Sequence, residues 1–172
     1  MTTCPAAEIL LIEDNPRDAE LALRALRSGH PTTAVIWLKD GAEALAWFFG
    51  TDTAAAPPRS PPAVVLLDLK LPKVDGLEVL RQLKAHARTQ LIPVVMLTSS
   101  REELDLVQSY RLGANSFLVK AMEFDKFEAT LTLVARYWLQ LNQTPAASEP
   151  RPPGPTHAPG AKPDAARPRH PI

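Results

Sequence analysis

Short, unbroken apolar runs alternate along this chain with segments whose apolar residues recur every three or four positions. The runs cover residues 8–13 (Ile-Leu-Leu-Ile between two glutamates), 33–38, 63–67, 92–97 and 116–119. Runs this short, rich in Val, Ile and Leu and lacking polar alternation, predict strands buried on both faces. The first helix opens at Asn15-Pro16, a side-chain cap followed by a proline at the first helical position. It carries Ala19, Leu23 and Leu26 at helical spacing and ends at Gly29-His30-Pro31. A second helix opens at Asp40-Gly41 with Ala44, Leu45 and Phe48 on one side. A third, over 76–87, turns Leu77, Leu80 and Leu83 inward. The fourth, over 101–112, stops at Gly113, and the last runs over 124–141. Five strands alternating with five helices predict an α/β fold, a parallel sheet covered on both faces. Right-handed crossovers leave it few topologies.

Two stretches fall outside this rhythm. Residues 50–62 hold four prolines and three consecutive alanines, which predicts an unusually long loop. From Asn142 onward nine of 31 residues are proline, and no aromatic, Ile, Leu or Val appears before Ile172. Such a segment cannot bury enough apolar surface to offset its ordering entropy, so residues 142–172 read as a disordered, mildly basic tail. Residues 1–7 read as an N-terminal fray and 8–141 as the one folded domain. Nineteen basic and nineteen acidic residues balance to a formal charge of zero, which argues against a dedicated nucleic-acid binder. The single cysteine, Cys4, rules out an internal disulfide and fits a reducing cytoplasm. No apolar run approaches the roughly 20 residues that span a bilayer, and Glu8 interrupts any secretory-signal pattern.

The strand ends carry the chemistry. Glu13 and Asp14 follow the first strand, Asp68 the third, Thr98 the fourth and Lys120 the fifth. In open parallel sheets ligands bind at the carboxyl ends of the strands, where strand order reverses. Three carboxylates collected there repel one another unless a cation joins them, and an all-oxygen set with room for water suits Mg²⁺. The Thr98 hydroxyl and the Lys120 ammonium offer a donor and a charge to a group placed on Asp68. Together these residues describe attack by a carboxylate on a phosphoryl group. Taken singly, each also has a plain reading as a cap, a turn or a solvated charge. Asp75, beside Gly76, reads as a turn carboxylate.

The segments Leu-Ile-Glu-Asp-Asn, Leu-Leu-Asp-Leu-Lys-Leu-Pro-Lys-Val-Asp-Gly, Pro-Val-Val-Met-Leu-Thr and Gly-Ala-Asn-Ser-Phe-Leu-Val-Lys give residues 8–141 a close resemblance to the receiver domain of two-component response regulators. The resemblance implies a flavodoxin-like sheet of order 2-1-3-4-5. It implies that a sensor histidine kinase phosphorylates Asp68, with Glu13, Asp14 and Asp68 around Mg²⁺ and Thr98 and Lys120 on the phosphoryl oxygens. Phe117 is implied as the aromatic that repacks on activation. Glu-Asp-Asn-Pro-Arg-Asp-Ala-Glu-Leu, Ser-Tyr-Arg-Leu-Gly-Ala-Asn-Ser-Phe and the closing Tyr-Trp-Leu look most like small stand-alone receivers partnered with bacterial phytochrome kinases. One departure stands out. The family pattern has proline after the lysine, often cis, and Ala121 stands here. A cis bond without proline costs roughly 3–4 kcal/mol, so either the bond is trans and other contacts aim Lys120, or the site is strained.

Other readings have their own signatures. A flavin binder would need glycines and hydroxyls after the first strand, where residues 13–18 carry carboxylates. A phosphohydrolase would need an acid/base two residues after its nucleophile, where Lys70 stands. A degenerate receiver that only binds partners finds support in Ala121 alone. Onward transfer of phosphate to a histidine-containing protein remains compatible with the same residues. Lys70 and Ser100 each lie two positions beyond a site residue, beside the path of attacking water. The last helix has a core stripe of Phe124, Phe127, Leu131, Val134 and Trp138. Leu133, Tyr137 and Leu141 form a second row four residues apart, with Tyr110 on the preceding helix as an extension. That row predicts a homodimer interface.

Overall fold

The computed structural model describes residues 8–51, 54–55, 60–99 and 102–143. The predicted fray, Cys4, Ser100, Arg101 and the tail from Thr144 lie outside the described residues. Five strands form one parallel sheet: β1 (Ile9–Ile12), β2 (Val35–Leu38), β3 (Val64–Asp68), β4 (Val94–Thr98) and β5 (Ser116–Val119). Their order is β2-β1-β3-β4-β5, all neighbours parallel. Five α-helices alternate with them: α1 (Pro16–Gly29), α2 (Gly41–Phe49), α3 (Gly76–Ala85), α4 (Glu103–Arg111) and α5 (Phe124–Arg136).

The sheet divides the core in two. On one side Leu10, Ile12, Val65, Leu67, Val94 and Met96 meet α2 and α3 through Ala44, Phe48, Val79, Leu80 and Leu83. On the other, the alternate residues Ile9, Leu11, Val64, Leu66, Val95 and Leu97 meet α1 and α5 through Ala22, Leu26, Phe127 and Leu131. Strand residues of both sets are fully buried, which is why the runs show no polar alternation. α4 packs beside α3 and along β5, so α2, α3 and α4 share one face and α1 and α5 the other.

Most predicted elements stand where the pattern puts them, trimmed at their ends. Asn15 and Asp40 cap α1 and α2, accepting from the amides of Arg17 and Glu43. On α1 the fully buried residues are Ala19, Ala22, Ala25 and Leu26, and Leu23 is only half-buried. Small side chains let α1 lie close to α5. The predicted loop over 50–62 contains a two-stranded antiparallel ribbon that pairs Gly50–Thr51 with Ala54–Ala55. The last helix does not run as α-helix to Leu141. It changes at Tyr137–Leu141 into a π turn, closed by the Asn142 amide on the Tyr137 carbonyl at 2.7 Å. The wider turn brings the consecutive residues Trp138 and Leu139 against the same core.

Gly76 ties the third crossover to the site. Its amide donates to the Leu69 carbonyl at 2.9 Å, and a Cβ placed there would stand 2.1 Å from the Asp68 carbonyl oxygen. Backbone cannot yield as a side chain would. Gly76→Ala should therefore cost about 2–3 kcal/mol in urea unfolding, at the upper end for overpacking. It should also displace the Asp68 segment.

Candidate phosphoacceptor and metal site

Sheet register assembles the site. Ile12 pairs with Leu67, so the residues that follow, Glu13 and Asp68, emerge side by side. Asp68 pairs with Leu97, and Thr98 with Val119, which brings Thr98 and then Lys120 onto the same rim. Glu13, Asp68 and Thr98 are buried, while Asp14 is exposed. Carboxylate oxygens of Glu13, Asp14 and Asp68 lie within 4.8 Å of one another. Ligands on opposite sides of a Mg²⁺ ion stand about 4.2 Å apart, so the trio fits one small hard cation after a minor closure. The donors are all oxygen, and the exposed Asp14 side leaves room for water.

Each buried carboxylate has fixed contacts. Glu13 Oε1 accepts from the Asn15 amide at 3.2 Å, and its backbone carbonyl accepts from Trp37 Nε1 at 2.8 Å. Asp68 Oδ1 accepts from the Leu69 amide at 2.9 Å. Lys120 Nζ donates to Glu13 Oε2 at 2.6 Å and Asp18 Oδ2 at 2.9 Å, and stands 3.5 Å from Asp68 Oδ1. Its backbone amide holds the Thr98 carbonyl at 2.7 Å. No cis peptide bond occurs among the described residues, so the Lys120–Ala121 bond is trans. Of the two alternatives left open by Ala121, the first therefore holds: carboxylates aim Lys120.

Burial dominates the electrostatics. It pushes the Glu13 carboxyl up to about 7, with the Asp68 charge adding to the rise and the Lys120 hydrogen bond opposing it. Burial also raises Asp68, against the Lys120 charge and the Leu69 amide. Lys120 is likewise penalised by burial, yet the Glu13 hydrogen bond and the Asp68 and Glu13 charges hold its pKa above the usual lysine range. Two buried carboxylates served by one ammonium leave negative charge to be neutralised, and a divalent cation among Glu13, Asp14 and Asp68 would do so.

Other predicted residues are placed as follows. Asp75 caps α3, accepting from the Leu77 amide at 2.9 Å, as its turn reading requires. Phe117 is half-buried on the α3 side of the sheet, opposite Met96. Lys70 Nζ stands 3.8 Å from Oδ2 of Asp105 in the first turn of α4. Leu133, Tyr137, Leu141 and Tyr110 are exposed at 65%, 49%, 64% and 52%. Tyr110 lies on α4, Leu133 on α5, and Tyr137 and Leu141 on the π turn that ends the last helix.

Two contributors escaped sequence reasoning. Asp18 lies one helical turn beyond Asp14, and that spacing was its only signal. Trp37 reaches Glu13 from the neighbouring strand, which only strand order reveals.

Comparison with known proteins agrees with this geometry. Residues 9–132 match the response regulator receiver domain. The chain is 42% identical over 137 residues to the probable methanogenesis regulatory protein FilR2 of Methanothrix harundinacea, covering 80% of this chain and 86% of that one. It is 36% identical over 143 residues to response regulator Rcp1 of Synechocystis, covering 83% and 96%. The Mn²⁺-bound structure of Rcp1 aligns with a TM-score of 0.72, covering 80% of this chain and 98% of that one. The bacteriophytochrome response regulator AtBRR, 51% identical, aligns at 0.61 over 77% and 93%. With its parallel five-stranded sheet and an acidic trio facing a lysine at the strand ends, the chain belongs to the response regulator receiver domains.

Proposed function

We propose that residues 8–141 form a phosphorylation switch whose acceptor is Asp68. One observation carries the reading: Glu13, Asp14 and Asp68 converge at the sheet edge with Lys120 bonded across them. The phosphodonor is the phosphohistidine of a sensor histidine kinase. Likeness to AtBRR, a bacteriophytochrome response regulator, favours a phytochrome kinase. Signalling then proceeds in the cytoplasm through a changed interaction surface. No helix among the described residues is long and apolar enough to cross a membrane, and the balanced charge does not favour nucleic acid. Passing the phosphoryl group onward to a histidine-containing protein is the second reading compatible with this site.

The Leu69 amide fixes Asp68 Oδ1, leaving Oδ2 to attack phosphorus as the P–N bond to the donor imidazole breaks. A Mg²⁺ ion held by Glu13, Asp14 and Asp68 supplies charge neutralisation. Lys120 places its ammonium, and Thr98 its hydroxyl, toward the phosphoryl oxygens. The new group brings about −2 charge at neutral pH. Thr98 moves toward it, and Phe117 turns into the vacated space. The domain catalyses only its own phosphorylation and dephosphorylation.

Asp68→Asn should abolish Mg²⁺-dependent labelling by a small phosphodonor, read as loss of a base-labile mass adduct. An adduct that persists in that variant would move the acceptor elsewhere.

The raised Glu13 carboxyl makes metal and pH interdependent. The unfolded chain releases this proton near 4.5 and the folded one near 7, so the folded state binds more protons between those values. Metal-free stability should therefore fall as pH rises through that window. Saturating Mg²⁺ should raise the melting temperature more at about pH 8 than at about pH 5, because the cation favours the ionised trio. Equal shifts at both pH values would count against Glu13 as a ligand.

The exposed row on the last helix supports a homodimer. Burying each of Leu133, Tyr137 and Leu141 is worth roughly 1.5–3 kcal/mol, and a two-fold contact buries the row against its own copy. Sedimentation at micromolar concentration should show a dimer that Leu133→Glu with Tyr137→Glu converts to a folded monomer. A wild type that remains monomeric with and without phosphodonor contradicts the interface.

A further inference from the structure

The three carboxylates around Lys120 are not equivalent. Glu13 and Asp68 belong to the trio whose oxygens approach within 4.8 Å, whereas Asp18 stands outside it. The oxygens of the trio have two claimants, a divalent cation and the lysine ammonium. Asp18 has no part in that competition. Its Oδ2 lies 2.9 Å from Lys120 Nζ, and its side chain is 31% exposed where that of Lys120 is 10% exposed. The Asn15 cap and Pro16 fix the start of α1 and so hold Asp18 in its first turn. Lysine is a point charge on a flexible four-carbon stem, so contacts at its tip set its aim. The trans bond to Ala121 adds no ring constraint beyond Lys120.

We infer that Asp18 is a positioning residue for phosphoryl transfer. It keeps the Lys120 ammonium beside Asp68 when Glu13 turns to a divalent cation, so that incoming phosphoryl oxygens meet a charge already in place. This rests on the phosphoacceptor reading of Asp68, but the placement of Lys120 can be observed without any phosphorylation.

The test compares the full chain with Asp18→Ala, Asp18→Asn and Asp18→Glu, all with saturating Mg²⁺. Nuclear magnetic resonance of the side-chain ammonium should show a sharp, exchange-protected Lys120 signal in wild type. That signal should vanish in Asp18→Ala and in the isosteric Asp18→Asn, and return in Asp18→Glu. Labelling by phosphoramidate should slow about tenfold or more in the first two variants and recover to within about threefold in the third. Mg²⁺ affinity should stay within about threefold of wild type throughout. An unchanged Lys120 signal in Asp18→Ala overturns the inference, whatever the labelling does. Loss of Mg²⁺ affinity in parallel with labelling also overturns it, by making Asp18 a participant in metal binding. A wild type that takes no label overturns the phosphoacceptor reading instead, and the ammonium signal alone then decides the role of Asp18.

Discussion

The structure depends on one pairing, that of β1 with β3. Setting Ile12 against Leu67 places the next two residues, Glu13 and Asp68, side by side at the end of fully buried apolar strands. Like charges this close, desolvated from below, resist ionisation. Burial accordingly lifts both carboxyls, and Lys120 must come from the far edge of the sheet to partner them. The rest of the fold can be seen as what supplies that lysine and covers the apolar strands that bring the carboxylates together.

Those strands leave no polar alternation because each face of the sheet needs its own helical layer. The two layers differ in composition. α1 presents Ala19, Ala22 and Ala25 to the sheet and to α5, so its backbone lies close. α2 and α3 present Phe48, Val79, Leu80 and Leu83, a bulkier surface that also takes in Trp47 and Phe49 at its margin. Close packing of α1 lets a side chain in its first turn touch a residue after β5. Asp18 reaches Lys120 from one element away for that reason.

Strand identity and the rim residues were legible in the sequence because they depend on local runs and on where those runs stop, whereas the strand order came from the family resemblance. Glu13, Asp68, Thr98 and Lys120 each end a run, and a parallel sheet aligns such ends regardless of detail. Details that depend on how one element is rotated against another were not legible. Asp18 needs the rotation of α1 about its own axis. The π turn over Tyr137–Leu141 needs the demand of Trp138 and Leu139 for the same core surface. The ribbon within residues 50–62 lies in a stretch whose prolines and alanines predict only a loop. The absence of proline after Lys120 posed a question that sequence left open, and the trans bond with three carboxylate contacts answers it.

Two lysines connect the rim to the two helical layers. Lys120 joins the trio to Asp18 on α1 and directly precedes the segment leading into α5. Lys70, two residues beyond Asp68, stands 3.8 Å from Asp105 of α4. Asp105 is buried, its Oδ2 has no hydrogen-bond partner among the described residues, and the Lys70 ammonium is a charge set against its desolvation there. The rim is thereby tied by charge to both layers, through Lys70 to α4 on one face of the sheet and through Lys120 to α1 on the other. Phe117 lies with the first of these layers, and the exposed row of Leu133, Tyr137 and Leu141 is carried by the last helix of the second. Any change of charge at the strand ends is therefore felt on both faces of the sheet at once, because the two lysines are partnered on opposite layers.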